Sequence, residues 1–302
     1  MLTVHAERYI ALRRALGFKL HASLTNLRAF ARYATDRGDT HVRAVTALDW
    51  ATEGCSPYTR YARLRDVVHL ARFLQAEDPA HEIPSNPFQV HNFRPLPYIY
   101  SNAEVAQLIS AVSLLRPSYP LRRKVYATLL GLIAATGLRI SEALNLEFQD
   151  VLPGGILHIH HTKCGKSRMV PLHPSAAQAL EAYLEVRRQA VVADNHIFLS
   201  AGGRRISSSM VEYTFHRILR LARIAPDRSR RPRLHDLRHT FATRALEQCS
   251  AERESIGRHF VALSTYLGHT DIAYTYWYLE ATPELMSGMA VAAEAVLFKE
   301  GA

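Results

Sequence analysis

The chain has 302 residues, with 37 Lys plus Arg against 27 Asp plus Glu, a formal charge of +10 and a pI near 9.7. Hydrophobic residues make up 48% and charged residues 21%, which excludes a disordered or fibrous chain, and the length exceeds the usual single domain, so two domains are expected. The basic excess is shared by residues 1–98 and the remainder, and it favours a polyanionic partner.

Cys55, Cys164 and Cys249 are far apart, odd in number and without a C-x-x-C pair, so neither a disulfide framework nor a cysteine-rich zinc site is expected. A reducing cytoplasm is the expected compartment. The most apolar stretch, 125–138, is too short and too broken by Thr and Gly to span a bilayer, and Met1 precedes no secretory apolar region. No membrane partner is expected.

From the N-terminus, three helical stripes come first: Tyr9, Leu12 and Leu16; Leu24, Leu27, Ala31 and Ala34; Tyr61, Leu64, Val68 and Ala71. They predict a small helical bundle over 1–83. Pro84, Pro87, Pro95 and Pro97 each lack a backbone donor and predict a linker over 84–100. Ser101 and Glu104 form a capping-box pattern ahead of Val105, Leu108 and Ile109, which opens a second domain over 101–302. Val125, Leu129, Leu132, Ile133 and Thr136 predict a helix ended by Gly137 in a left-handed conformation, so Arg139 stands at a corner between helices. Between 156 and 172 the period falls to two: Leu157 and Ile159 alternate with His158 and His160, a polar turn containing Gly165 follows, and Pro171 marks an edge strand. Helical patterns return at about 175–192, 207–224, 235–247 and 256–267. The expected fold is mostly α with a small β-sheet: an N-terminal helical bundle followed by an α+β domain.

Four segments stand out together: Ala-Thr-Gly-Leu-Arg-Ile-Ser-Glu at 135–142, Thr-Lys-Cys-Gly-Lys-Ser-Arg at 162–168, His-Asp-Leu-Arg-His-Thr at 235–240, and Leu-Gly-His at 267–269 followed by Tyr278. Their types and order resemble the catalytic domain of the tyrosine recombinase family, which includes the Xer proteins, Cre and the phage integrases. The helical bundle and its linker resemble that family's core-binding (DNA-binding) domain. The resemblance implies a site-specific recombinase or integrase that cleaves and rejoins double-stranded DNA through a 3′-phosphotyrosyl intermediate. It also implies a homo-oligomer, a tetramer passing through a Holliday junction, or assembly with companion recombinases. No metal, ATP or other cofactor is expected, since phosphotyrosine conserves the bond and no Walker-type loop is present.

The chemistry has its own logic. A tyrosine hydroxyl can cut a phosphodiester and retain the phosphate covalently. Attack builds negative charge on the non-bridging oxygens, to which the guanidinium groups of Arg139 and Arg238 can donate. His235 and Arg238, three residues apart on a helix, project from one face. By resemblance, His235 helps accept the tyrosine proton, Lys163 is the general acid for the leaving 5′-oxygen with Lys166 as its competitor, and His269 donates to the transferring phosphoryl group. Tyr278, nine residues after His269, is the expected nucleophile, with Tyr274 and Tyr276 in packing or DNA-backbone roles. Glu142 either orients a guanidinium or histidine, or is an ordinary first-turn acid favoured by the helix dipole. His239 is expected to pack near His235 without a catalytic role.

Further features frame these residues. Arg228, Arg230, Arg231 and Arg233 grip DNA backbone or form a solvated loop. Residues 249–258 read as an insertion relative to the Xer-like pattern. Thr282 and Pro283 read as a helix start, and Leu285, Met289, Ala292 and Val296 as an apolar stripe that docks on a neighbouring protomer, as in the family, or folds back. His158, His160, His161 and His173 do not suggest a metal site, because strand alternation sends neighbours to opposite faces and no carboxylate accompanies them. Two other activities share parts of this pattern: a type IB topoisomerase, which relaxes one duplex, and a non-catalytic DNA-binding accessory protein.

Overall fold

Helix α4 (Pro57–Gln75) shows how local chemistry starts these elements: Ser56 Oγ accepts the Thr59 N–H at 3.3 Å and Pro57 takes the first helical position, where its missing donor costs nothing. The computed structural model describes residues 2–18, 20–54, 56–88, 96–116, 120–160, 167–190, 192–224, 231–248, 253–269 and 271–276. Lys163, Lys166, Arg228, Arg230, Tyr278 and the stripe Leu285 to Val296 lie outside the described residues. The chain divides into two units, Met1–Arg94 and Pro95–Ala302.

In the first unit, α4 packs with α1 (Leu2–Ala15), α2 (His21–Asp36) and α3 (Ala44–Thr52) around Leu2, Tyr9, Leu27, Phe30, Trp50 and Leu64. The inward face of α1 differs from the sequence expectation. Leu2, Ala6, Tyr9 and Ile10 are buried, whereas Leu12 and Leu16 are exposed at 43% and 64%. Apolar residues lie nearly all round this helix, so packing partners rather than periodicity select the face. Helix α3 had no sequence expectation: it is short, and Ala47, Trp50 and Ala51, with Leu48 partly buried beside them, carry its apolar contribution to the core.

His81, 3% exposed, accepts the Val42 N–H on Nδ1 at 3.0 Å, and His41 Nε2 lies 3.0 Å from Asp78 Oδ2. The three side chains could surround an ion by distance alone. The lone pair of neutral His81 is already committed to a backbone donor, however, so the cluster ties the end of α4 to the start of α3.

In the second unit, α5 (Asn102–Ala111) begins with the capping box read from sequence: Ser101 Oγ accepts from Glu104 N at 3.1 Å and Glu104 Oε2 from Ser101 N at 2.8 Å. Tyr100, in the stretch read as linker, is fully buried, donating its N–H to Thr240 Oγ1 at 2.9 Å and its hydroxyl to the Arg233 carbonyl at 3.2 Å. Next come α6 (Pro120–Thr136), α7 (Ile140–Leu144) and an antiparallel sheet of β1 (Val151–Leu152), β2 (Ile156–Ile159) and β3 (Arg168–Pro171) in that spatial order. Leu157 pairs with Val170 and Ile159 with Arg168, and Pro171 sits on the edge strand, where a missing donor is tolerated. Leu157, Ile159 and Val170 face the core.

His158 and His160 share the opposite face with ring centroids 3.8 Å apart, and His160 Nε2 lies 2.9 Å from Asp150 Oδ1. A carboxylate therefore does accompany these histidines. It comes from the turn before β1, eight or more residues away in sequence, which is why spacing alone did not reveal it.

The chain continues through α8 (Pro174–Arg188), α9 (Ser208–Leu221), α10 (Asp236–Glu247), α11 (Arg253–Leu267) and α12 (Ala273–Tyr276). The stretch read as an insertion is helical from Arg253, as the first turns of α11. The fold is mostly helical with one small sheet, and no helix among the described residues is long and apolar enough to cross a membrane.

Gly137 ends α6 at φ 62°, its N–H bonded to the Ile133 carbonyl at 2.8 Å. A Cβ there would lie 2.6 Å from Phe241 Cδ1. Gly137→Ala therefore combines left-handed strain with a clash on α10, and we expect a loss of about 2–4 kcal/mol, read as a lower urea midpoint for the second unit.

Candidate active site

The ends of α6 and α11 supply carbonyls that no helical turn can satisfy, and arginines take them. Arg238, on α10 and 1% exposed, donates from Nη1 to the Gly137 carbonyl at 2.6 Å and from Nη2 to the Leu267 carbonyl at 2.8 Å. Arg139 precedes α7 and donates from Nη2 to the Gly268 carbonyl at 3.1 Å. The two guanidinium groups expected to act together thus meet at the C-terminus of α11.

That terminus is shaped by Gly268 at φ 67°: its N–H bonds the Thr265 carbonyl and the His269 N–H bonds the Ser264 carbonyl, both at 3.0 Å, the paired closure of a left-handed helix end. The turn delivers His269 beside Arg238, with Nε2 3.1 Å from Arg238 Nη2 and Nδ1 2.8 Å from Thr275 Oγ1 on α12. His235 lies at the start of α10, one turn before Arg238, with its ring edge-on to His239 at 4.7 Å between centroids.

Glu142 resolves the alternatives left by the sequence. Only 7% exposed, it accepts from Arg139 Nη1 at 2.7 Å and from both terminal nitrogens of Arg168, at 3.0 and 2.9 Å. It orients guanidinium groups. Burial opposes its ionisation, but Arg168 and then Arg139 overcome that cost and hold its pKa at about 2.

Arg168 had no assigned role in the sequence. Its Nε also donates to the Tyr266 carbonyl at 2.7 Å, so it joins β3 to α7 and to the end of α11. A signal was available: Arg168 is two residues from the buried Val170, hence on the inward face of its strand, where a cation requires a partner. Gly268 makes room for it, since a Cβ there would stand 2.7 Å from Arg168 Nη1.

The histidines of the site are neutral at pH 7. Burial, followed by Arg238 and Arg139, lowers His269 to about 4. Desolvation by neighbouring groups, followed by Arg238 and Arg233, lowers His235 to about 4 although its outer edge is open to solvent. Guanidinium groups around both rings oppose a divalent cation and favour an anion bearing several oxygens. The structure thus brings Arg139, Arg238 and His269 to the end of α11, both arginines reaching its carbonyls and Arg238 touching His269, with His235 on the adjoining turn; Lys163 and Tyr278 lie outside the described residues. Tyr274, 50% exposed, has its ring 6.2 Å from that of His269.

The depressed Glu142 pKa makes stability depend on pH with a defined sign. The ionised carboxylate contributes above its unfolded pKa of about 4.5, and that contribution is lost as pH falls toward about 2. Glu142→Gln should cost roughly 3 kcal/mol at pH 7 and flatten the loss of stability between those values, checked by urea unfolding across the acid range.

A sequence profile described as the phage integrase family matches residues 100–284. The protein y4rB of Sinorhizobium fredii, described as an integrase/recombinase, is 39% identical over 294 residues, covering 93% of each chain. Tyrosine recombinase XerD of Caulobacter vibrioides is 30% identical over 276 residues, covering 86% of this chain and 84% of its own. Among solved structures, XerH site-specific recombinase bound to its difH substrate in a pre-cleavage complex aligns over 91% of this chain and 81% of its own, with a TM-score of 0.64 and 20% identity, a likeness of fold. The matched profile and the length of the alignments agree with the four-segment pattern and with the helical fold carrying a small sheet: the chain belongs to the phage integrase family of tyrosine recombinases.

Proposed function

We propose that the chain is a site-specific DNA recombinase that cleaves and rejoins strands of double-stranded DNA in the cytoplasm, without metal or ATP. The observation that carries this reading is the convergence of Arg139, Arg238 and His269 on one helix terminus, with hydrogen-bonding groups set for a phosphate. In this reading residues 1–83 form a DNA-binding domain, 84–100 a linker and 101–302 the catalytic domain. The two guanidinium groups bind the non-bridging oxygens of the scissile phosphate. Tyr278 attacks the phosphorus, forming a 3′-phosphotyrosyl bond as the bond to the 5′-oxygen breaks. His235, neutral at pH 7, accepts the tyrosine proton, and Lys163 gives a proton to the leaving oxygen. The freed 5′-hydroxyl attacks the 3′-phosphotyrosyl phosphorus of a partner duplex, releasing its tyrosine as the new phosphodiester forms, so the working unit is a homo-oligomer, a tetramer on two duplexes. XerH in its substrate complex and lambda integrase, in a tetramer on a Holliday junction, are neighbours that share this fold.

A nicked suicide duplex built from DNA flanking the gene tests the chemistry. Tyr278→Phe, which removes only the hydroxyl, should retain DNA binding and lose the covalent adduct, whereas Tyr276→Phe should still form it. Peptide mapping that finds phosphate on Tyr274 or Tyr276 would show a different register, and supercoil relaxation without joining of two sites would mark a topoisomerase. Because both units carry excess positive charge, affinity should fall roughly 10³–10⁵-fold between 50 and 200 mM salt; a flat salt titration would rule out extensive phosphate contact.

A further inference from the structure

Two hydrogen-bonding contacts of His269 bear on where its proton sits. Arginine has hydrogens to give and no lone pair, so Arg238 Nη2, 3.1 Å from His269 Nε2, must be the donor and Nε2 the acceptor. A neutral imidazole then carries its hydrogen on Nδ1, which points at Thr275 Oγ1 2.8 Å away. Thr275 is fully buried, and its backbone N–H bonds the Ile272 carbonyl at 2.7 Å, so the hydroxyl is held in place beside the ring. In this arrangement His269 has no hydrogen on the nitrogen that faces the arginine cluster. It accepts from Arg238 and cannot donate to an anion.

We propose that Thr275 is a positioning residue that holds His269 in a resting form in which Nε2 accepts from Arg238 and Nδ1 donates its hydrogen to the Thr275 hydroxyl. The inference deepens the recombinase reading and rests on it for its functional consequence. When a phosphate oxygen draws Arg238 Nη2 away, a solvent water can give Nε2 a proton while the Nδ1 proton passes to solvent water, so the ring stays neutral and becomes a donor to the phosphoryl group. A hydroxyl is suited to this exchange because it accepts from Nδ1–H before and, after rotating about its C–O bond, donates to the bare Nδ1 afterwards. A carboxylate or carbonyl could serve only the first form. Thr275 stands three residues before Tyr278, so the same short segment carries both groups.

Long-range proton–nitrogen NMR of the full chain with ¹⁵N-labelled histidine reads the proton position directly, with the His269 signals identified by their loss in His269→Gln. The DNA-free protein should show hydrogen on Nδ1 with the downfield shift of a hydrogen-bonded proton, Thr275→Ser should keep that shift, and Thr275→Val should move it upfield because the acceptor is gone. Hydrogen on Nε2 in the unsubstituted protein overturns the proposal without reference to any variant, as does an Nδ1 proton signal left unmoved by Thr275→Val. On the suicide duplex, Thr275→Val should cleave about tenfold more slowly with DNA affinity unchanged, and Thr275→Ser should restore the rate. Equal slowing by both variants would reduce Thr275 to a packing residue. An unsubstituted protein that forms no adduct would defeat the recombinase reading, while the NMR result would still decide the proton position.

Discussion

The carboxylate of Glu142 binds two guanidinium groups at once from a buried position, and the arrangement of the site depends on it. Arg139 reaches it from the same turn of chain and Arg168 from strand β3. Without that charge, Arg168 would be a cation 9% exposed at its side chain, set near Arg139 with carbonyl dipoles as its main compensation. With it, the hairpin, α7 and the end of α11 are fastened at one point.

The helix ends complete the arrangement. The carbonyls of Tyr266, Leu267 and Gly268 and that of Gly137 each receive an arginine donor, so the negative ends of α11 and α6 help hold three cations together. Both termini are closed by glycines with positive φ, at Gly137 and Gly268, which aim those carbonyls inward and admit Phe241 and Arg168 to within contact. Surplus positive charge is built in. In the proposed function an anion with several acceptor oxygens would complete the set, and neutral histidines beside it could exchange protons without adding to the repulsion.

Much of this was legible in the linear pattern. The capping box at Ser101, the helix stop at Gly137 and the two-residue alternation around Leu157 are local rules, each expressed within a few residues, and each appears in the fold. The four motif segments singled out Arg139, Arg238 and His269, which the fold gathers at the end of α11, and His235 one turn from Arg238, because residue type and order survive without knowledge of contacts. Helix α1 was misread because apolar residues on several sides leave periodicity without a preferred face, and Asp150 was missed beside His160 because the turn that brings it there is tertiary.

The sequence by itself determined the class of fold, most of the helices around a small sheet and the basic charge, and it singled out the arginines and histidines on which the proposed phosphate site rests. Tertiary structure decided what those groups do to one another. That Glu142 serves Arg139 and Arg168 together, and that His269 lies between Arg238 and Thr275, follow from contacts spanning 26, 31 and 6 residues of separation. Proton positions and depressed pKa values arise from burial and from charges brought close in space, quantities that no spacing along a chain encodes.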